Sequence, residues 1–232
     1  MDRRISSHDK HKFEEERARR ILIHFFPQQY DQAQLSESPD IVCEPNGIGV
    51  EVTTSHKQHI QESMSRVCDI SGKTINELSR PNMDNINSGR VDVKLLPNKQ
   101  LLASFSFWGE DHDIIGAFLS KTNTLNKNVF RKFRENKLFI FSWMIGSDYL
   151  YRSLDLIISD NSILNMLADR YKYLFDTIFV FHESELAEVD LTQKEIIFRE
   201  ISRDELSCIS HSSFKEIFKM TRDEFYHRNP NE

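Results

Sequence analysis

Asp40 and Glu51 are the residues around which chemistry can be built. They lie in the stretch Ser38 to Ser55, SPDIVCEPNGIGVEVTTS. Its apolar run Ile41-Val42-Cys43, the turn chemistry of Pro45-Asn46-Gly47 and the β-branched run from Ile48 to Thr53 predict two short strands joined by a tight turn. A side-chain period of two sets Glu51 and Thr53 on one face of the second strand and Val50 and Val52 on the other. Asp40 opens the first strand, so the hairpin can lay it beside Glu51. Two carboxylates held close on a sheet repel each other unless a cation lies between them, and hard oxygen donors of this kind suit Mg²⁺ or Mn²⁺. The plain alternative is an exposed pair of acids on an ordinary hairpin.

Several elements must position that hairpin. Lys10 to Tyr30 is expected to be a helix, with Ser7 or Asp9 as N-cap and Pro27 near its exit. At 100° per residue Ala18, Ile21, Leu22 and Phe25 form one apolar stripe that contains Glu14, while Glu15 sits at its edge and Glu16 points away. A carboxylate on the buried side of a helix is costly without a partner. Gln28 to Glu37 is a polar loop. Residues 56–98 are punctuated by Gly72, Pro81, Asn82, Asn85, Asn87, Ser88 and Gly89 and predict a partly helical insertion; His56 and His59 there are expected to be ordinary surface histidines, and Arg90 to Lys94 a short edge strand.

Gln100 to Trp108 predicts a third strand of the sheet, and Asp111 to Phe133 a helix with Ile114, Phe118, Leu125 and Val129 on one side. Leu138 to Ile145 is nearly continuous in apolar residues, as a central strand buried on both faces would be. A loop or short helix over Asp148 to Ile158, a helix over Ser159 to Tyr173 and a strand over Phe175 to Phe181 follow, then an edge strand at Lys194 to Ile201 and a helix at Ser212 to Phe225. This alternation is the pattern of an α/β fold.

Pro39-Asp40, a turn, then Gly49-Val50-Glu51-Val52-Thr53 resembles the core of the PD-(D/E)xK nuclease superfamily, in a variant found in uncharacterised bacterial proteins whose second half reads G-(I/V)-E-(I/V)-T. The likeness extends over most of residues 10–181 through a basic helix, an apolar strand, a helix and the strand Phe175-Asp176-Thr177-Ile178-Phe179. It implies a restriction-endonuclease-like mixed β-sheet flanked by helices on residues 1–185, with the insertion at about 56–98 and a C-terminal extension, 186–232, packed on the same domain. It further implies that Asp40 and Glu51 bind Mg²⁺ or Mn²⁺, with Glu14 from the preceding helix completing the shell. The reaction would be hydrolysis of phosphodiester bonds, DNA foremost, in bacterial defence or DNA processing.

The chain departs from the superfamily at Thr53, where a lysine two residues after the second acid is usual. A hydroxyl can hold a water or a phosphate oxygen but supplies no positive charge. Either a lysine from elsewhere fills the space, Lys121 ranking first and Lys57 second, or the domain is a catalytically decayed module that binds nucleic acid or a partner protein. A homodimer is compatible with either reading.

Composition bounds these alternatives. At 232 residues, with 39% hydrophobic residues and 17 Phe, the chain can bury a proper core. It has no apolar run of roughly the 18 residues a membrane span requires and no signal-peptide pattern at MDRRISSHDKHK, so a cytoplasmic protein without membrane association is expected. Three cysteines without C-x-x-C spacing argue against a disulfide framework and a zinc site. The net charge of −6 requires any nucleic-acid surface to be local. Between Lys121 and Lys137 six cations face only Glu135, a local +5, and Lys127, Arg131 and Arg134 are the expected phosphate contacts. Glycine-rich phosphate loops, nucleophile elbows and H-E-x-x-H motifs are absent.

Overall fold

Ser6 caps the first helix, its hydroxyl accepting the Asp9 backbone N–H at 3.0 Å, and α1 runs Ser7–Phe25. The expected single helix to Tyr30 breaks at Phe26 (φ −133°, ψ 58°), because a residue before proline is pushed out of helical geometry; Pro27 then opens a separate short turn of helix, α2 (Pro27–Tyr30). The computed structural model describes residues 6–55, 66–88, 91–104, 114–142, 147–221 and 223–224. The chain divides into two units, Met1–Thr54 with Ile114–Glu232, and Ser55–Asp113.

The first unit is built on a seven-stranded sheet among the described residues: β1 (Gln34–Leu35), β2 (Ile41–Cys43), β3 (Ile48–Thr54), β6 (Glu135–Ser142), β7 (Thr177–His182), β8 (Glu185–Asp190) and β9 (Glu195–Glu200), hydrogen-bonded in that order. The central trio β3, β6 and β7 is parallel, and every other neighbour is antiparallel. The sheet is therefore mixed, and the fold is α/β. Buried parallel strands need apolar residues on both faces, and β6 supplies them: Phe139 and Phe141 turn to one side, Leu138 and Ile140 to the other.

Each face is covered by helices. Ala18, Ile21 and Leu22 of α1 pack with Val50, Val52, Phe139, Phe141, Phe179 and Phe181, and α7 (Arg203–Phe218), started by a Ser202–Glu205 capping box, adds Leu206 and Ile209 to the same core. On the opposite face α4 (Ile114–Leu125), α5 (Ser147–Ser159) and α6 (Asn161–Arg170) bury Phe118, Leu154 and Leu167 against Leu138, Ile140, Ile178 and Val180. Val50 and Val52 thus face α1, while the alternation turns Glu51 toward α4. Residues 186–200 continue the sheet, and β8, which no sequence pattern marked, carries polar residues on both faces. No helix among the described residues is long and apolar enough to cross a membrane.

Further expected elements are corrected: the C-terminal helix runs Arg203–Phe218 and not Ser212 to Phe225, its start set by the Ser202–Glu205 capping box and its end by Lys219 in the left-handed region. Leu101–Ser104 (β5) is not a strand of the main sheet: it pairs antiparallel with β4 (Asp92–Leu95) in a two-stranded sheet of the second unit, beside helix α3 (Arg80–Asn87). Leu101 and Ala103 join Ile70 and Val91 in a small separate core, while Leu102 is left 51% exposed, a one-sided pattern that a doubly covered sheet does not accept. Residues 105–113 and 143–146, and with them parts of the expected third strand, basic helix and central strand, lie outside the described residues. The basic helix also stops short, at Leu125. The Asn126 side-chain amide donates to the carbonyls of Thr122 and Tyr173 and accepts the Tyr173 N–H, so the chain is tied off one residue beyond the helix. Residues 126–134 form a turn-rich loop in which Val129 is 86% exposed and not part of an apolar stripe.

Candidate active site

The β2–β3 hairpin pairs Ile41 with Val50 and Cys43 with Ile48, so the next pair outward sets Asp40 across from Glu51. Asp40 is locked there: its Oδ2 accepts the Val52 backbone N–H at 2.7 Å, and both acids are buried. Gly49 is required for the approach, because a Cβ at this position would stand 2.6 Å from the Phe133 ring and 2.7 Å from Pro39 Cγ.

A lysine reaches this pair from another element. Glu51 faces α4, and Lys121 in the penultimate turn of that helix donates from Nζ to Glu51 Oε1 at 2.7 Å, with its side chain 22% exposed. Thr53, two residues beyond Glu51 on the same face, is half-buried and carries no charge. Lys57, His56 and His59 lie outside the described residues.

The α1 carboxylate grouped with Asp40 is Glu15; Glu14, expected from the resemblance to complete a metal shell, is not in that group. One oxygen each from Glu15 and Asp40 and a ring nitrogen of His11 lie within 4.8 Å of one another. Glu15 is buried and held by Lys12 at 2.9 Å and His11 at 3.4 Å. Glu14 is half-buried one position away; burial pushes its carboxyl up to about 7, with Arg17 as its main opposing charge. The helical stripe contained Glu14 and left Glu15 at its edge, on the other side of Ala18, and the side on which Asp40 lies is a tertiary fact. Glu16, expected to point away, is buried too, in a fork with Arg19 and Arg20 at 2.6–2.8 Å. The reason is that α7 packs along α1 and creates a second buried side that one amphipathic stripe does not foretell. His11 and Glu15, four apart on one helix, were the available signal for this grouping.

The electrostatics are unbalanced. Burial first, and then the negative charges of Glu51 and Glu15, push the Asp40 carboxyl up to about 7, against the Val52 N–H and Lys121, which lower it. Asp40, Glu15 and His11 are oxygen and imidazole donors that could take a small divalent cation, whose charge would relieve the repulsion at Asp40; Glu51, outside that group, bonds Lys121.

The expected phosphate contacts are mostly committed to acids or carbonyls. Arg131 forks onto Glu44 at 2.5 and 2.8 Å and stacks on Phe133; Arg134 reaches the Asn46 carbonyl and Glu135; Lys137 is buried against Glu135, near Tyr30 and Phe179. Lys127 is exposed, and Lys132 donates to its carbonyl. Arg131 and Arg134 lie at the turn end of the hairpin, where Arg134 lies over Gly47, four residues or about 13 Å of strand before Glu51. No family model, curated protein or solved structure matches the chain.

Proposed function

We propose that the protein is a metal-dependent nuclease of restriction-endonuclease-like fold that hydrolyses phosphodiester bonds, DNA foremost. The observation that carries this reading is that Asp40, at the buried end of the hairpin, lies within 4.8 Å of Glu15 and His11 of α1 and beside Glu51, whose Oε1 takes the Lys121 ammonium at 2.7 Å. The mixed sheet with helices on both faces and the acid-bearing hairpin beside a parallel strand support it.

Glu15, Asp40 and Glu51 would hold Mg²⁺ or Mn²⁺. When bound, such a cation polarises a phosphoryl oxygen and makes a water acidic enough to attack at neutral pH. Lys121 would supply the positive charge that Thr53 lacks: its Nζ, held at Glu51, offers a charge-assisted hydrogen bond to a non-bridging phosphate oxygen as charge develops there. Asp40, fixed by the Val52 N–H, cannot swing away, so the donor set is held in place before substrate arrives. Lys127, Arg131 and Arg134, a few residues back along the hairpin, are set to hold flanking phosphates and not the reacting one.

One observation favours a second reading. The Lys121–Glu51 ion pair neutralises part of the charge a cation needs, as in a domain that retains the fold and binds nucleic acid or a partner protein without cutting. Incubating the purified protein with single- and double-stranded DNA and RNA in Mg²⁺ or Mn²⁺ separates the two. Cleavage that disappears in Glu51→Gln supports the nuclease; Mn²⁺ binding by calorimetry, lost in Asp40→Ala, without cleavage of any substrate supports the second reading. Absence of both metal binding and cleavage sinks the site.

A further inference from the structure

β9 is the outer strand of the sheet, and among the described residues nothing pairs with its free edge. Long exposed edges are hazards that proteins usually blunt; the opposite edge, β1, is only two residues long. β9 is six residues, with Ile197 and Phe198 each 40% exposed. Its sequence, Glu195-Ile196-Ile197-Phe198-Arg199-Glu200, reads as a palindrome of chemistry about Ile197.

Backbone geometry decides which residues can pair across that edge. The Ile201 N–H bonds the Ser184 carbonyl at 2.9 Å, in register with Glu185 opposite Glu200, so Glu195, Ile197 and Arg199 direct their N–H and C=O groups toward β8. The groups of Ile196, Phe198 and Glu200 therefore point outward. In a twofold antiparallel pairing an outward residue must meet an outward residue, which leaves registers centred on Ile196, Ile197 or Phe198. Centring on Ile196 sets Glu195 against Ile197. Centring on Phe198 sets Ile196 against Glu200 and Ile197 against Arg199. Centring on Ile197 brings Ile197 against itself, Ile196 against Phe198, and Glu195 against Arg199 twice over. Lys194, at φ 56° and bonded to Asn161, turns the chain away and closes the ladder at Glu195.

We propose that β9 is a homodimer interface: two copies of this chain join antiparallel about Ile197, and the two seven-stranded sheets become one. The partner is a second copy because the strand is complementary to itself in both charge and apolar pattern. Arg199 already bonds Glu188 at 3.0 Å and lies over the Phe26 ring, which holds its guanidinium on the face where the other copy's Glu195 arrives. Phe198 stands edge-on to Tyr151 at 5.1 Å, so the Ile196–Phe198 pairs extend an existing apolar patch.

Sedimentation equilibrium of the full chain is expected to give twice 27.4 kDa. Glu195→Arg alters an exposed residue and sets like charges opposite Arg199; it is expected to weaken association at least tenfold. Arg199→Glu does the same with the opposite sign, and mixing the two variants restores a heterodimer because each supplies what the other lacks. A chain with Ile197→Cys in a Cys68→Ser, Cys208→Ser background is expected to cross-link on mild oxidation, since facing residues at a non-hydrogen-bonded antiparallel site lie about 4.5 Å apart at Cα, within disulfide reach. The cross-link does not depend on Arg199→Glu folding. A monomeric wild type, or a dimer indifferent to Glu195→Arg that fails to cross-link through residue 197, overturns the proposal.

Discussion

At its open end the β2–β3 hairpin buries Asp40 and Glu51, with Lys121 on Glu51 and Glu15 of α1, itself held by Lys12, beside Asp40; at its turn end Glu44, Arg131, Arg134 and Glu135 pair where water reaches them. The contrast separates two uses of charge. The Arg131–Glu44 pair, 59% exposed on each side chain, is screened and holds a loop at little gain. The buried acids raise the free energy of the empty fold, since Asp40 ionises only against its neighbours. In the proposed nuclease a bound cation would relieve that repulsion.

Breaking the buried end should have the largest effect. Glu51→Gln is expected to abolish cleavage, and Lys121→Ala to lower kcat by about 10²–10³-fold, the range for removing one preorganised donor to developing charge, with nucleic-acid affinity little changed. Single-turnover assays beside binding titrations check this, and equal losses in cleavage and binding would deny Lys121 its role. Next comes Gly49, which lies between Pro39 at one end and Phe133 of the loop at the other. Gly49→Ala should destabilise by about 1–3 kcal/mol in urea unfolding, because both neighbours must shift.

Asp40 sharpens the comparison through pH. Its carboxyl in the folded chain is raised to about 7 from the ordinary 3.8, so between those pH values the folded chain keeps a proton that the unfolded chain has released. Stability therefore falls as pH rises through that window and levels off above it. Asp40→Asn should flatten this slope and stabilise the metal-free protein at pH 8 by about 1–3 kcal/mol, read from unfolding midpoints in EDTA. The smallest effect belongs to the exposed end. Replacing Lys127, Arg131 and Arg134 with Gln is expected to change stability by less than about 1 kcal/mol, while weakening DNA binding several-fold and flattening its salt dependence. Equal binding to wild type at every salt concentration would remove the loop from the contact surface.

Periodicity alone located most of the main sheet and its covering helices. The hairpin follows from β-branched runs around Pro45-Asn46-Gly47, β6 and β7 from uninterrupted apolar stretches, and the edge position of β9 from its mixed pattern. Such signals are local: side-chain alternation and turn chemistry act over a few residues, so the chain carries them wherever it folds. What failed was non-local. Leu101–Ser104 has a sound strand pattern but joins a different sheet, because pairing partners are chosen by burial across the whole unit. The helix after residue 114 ends at Leu125 because Asn126 finds Tyr173, 47 residues away.

The candidate site divides along the same line. By itself the sequence determined that Asp40 and Glu51 would share one hairpin and that Glu51 and Thr53 would share one face, since a two-residue period leaves no other arrangement. For the third acid the resemblance pointed to Glu14, the acid inside the apolar stripe of α1. Only the tertiary structure decided that Glu15 meets Asp40, that α7 buries Glu16, and that Lys121, 70 residues from Glu51, closes on it at 2.7 Å. Those outcomes depend on how two helices pack on opposite faces of a sheet, and a helical stripe that sets Glu14 inside and Glu15 at the edge does not say from which side of α1 the acids of the hairpin approach.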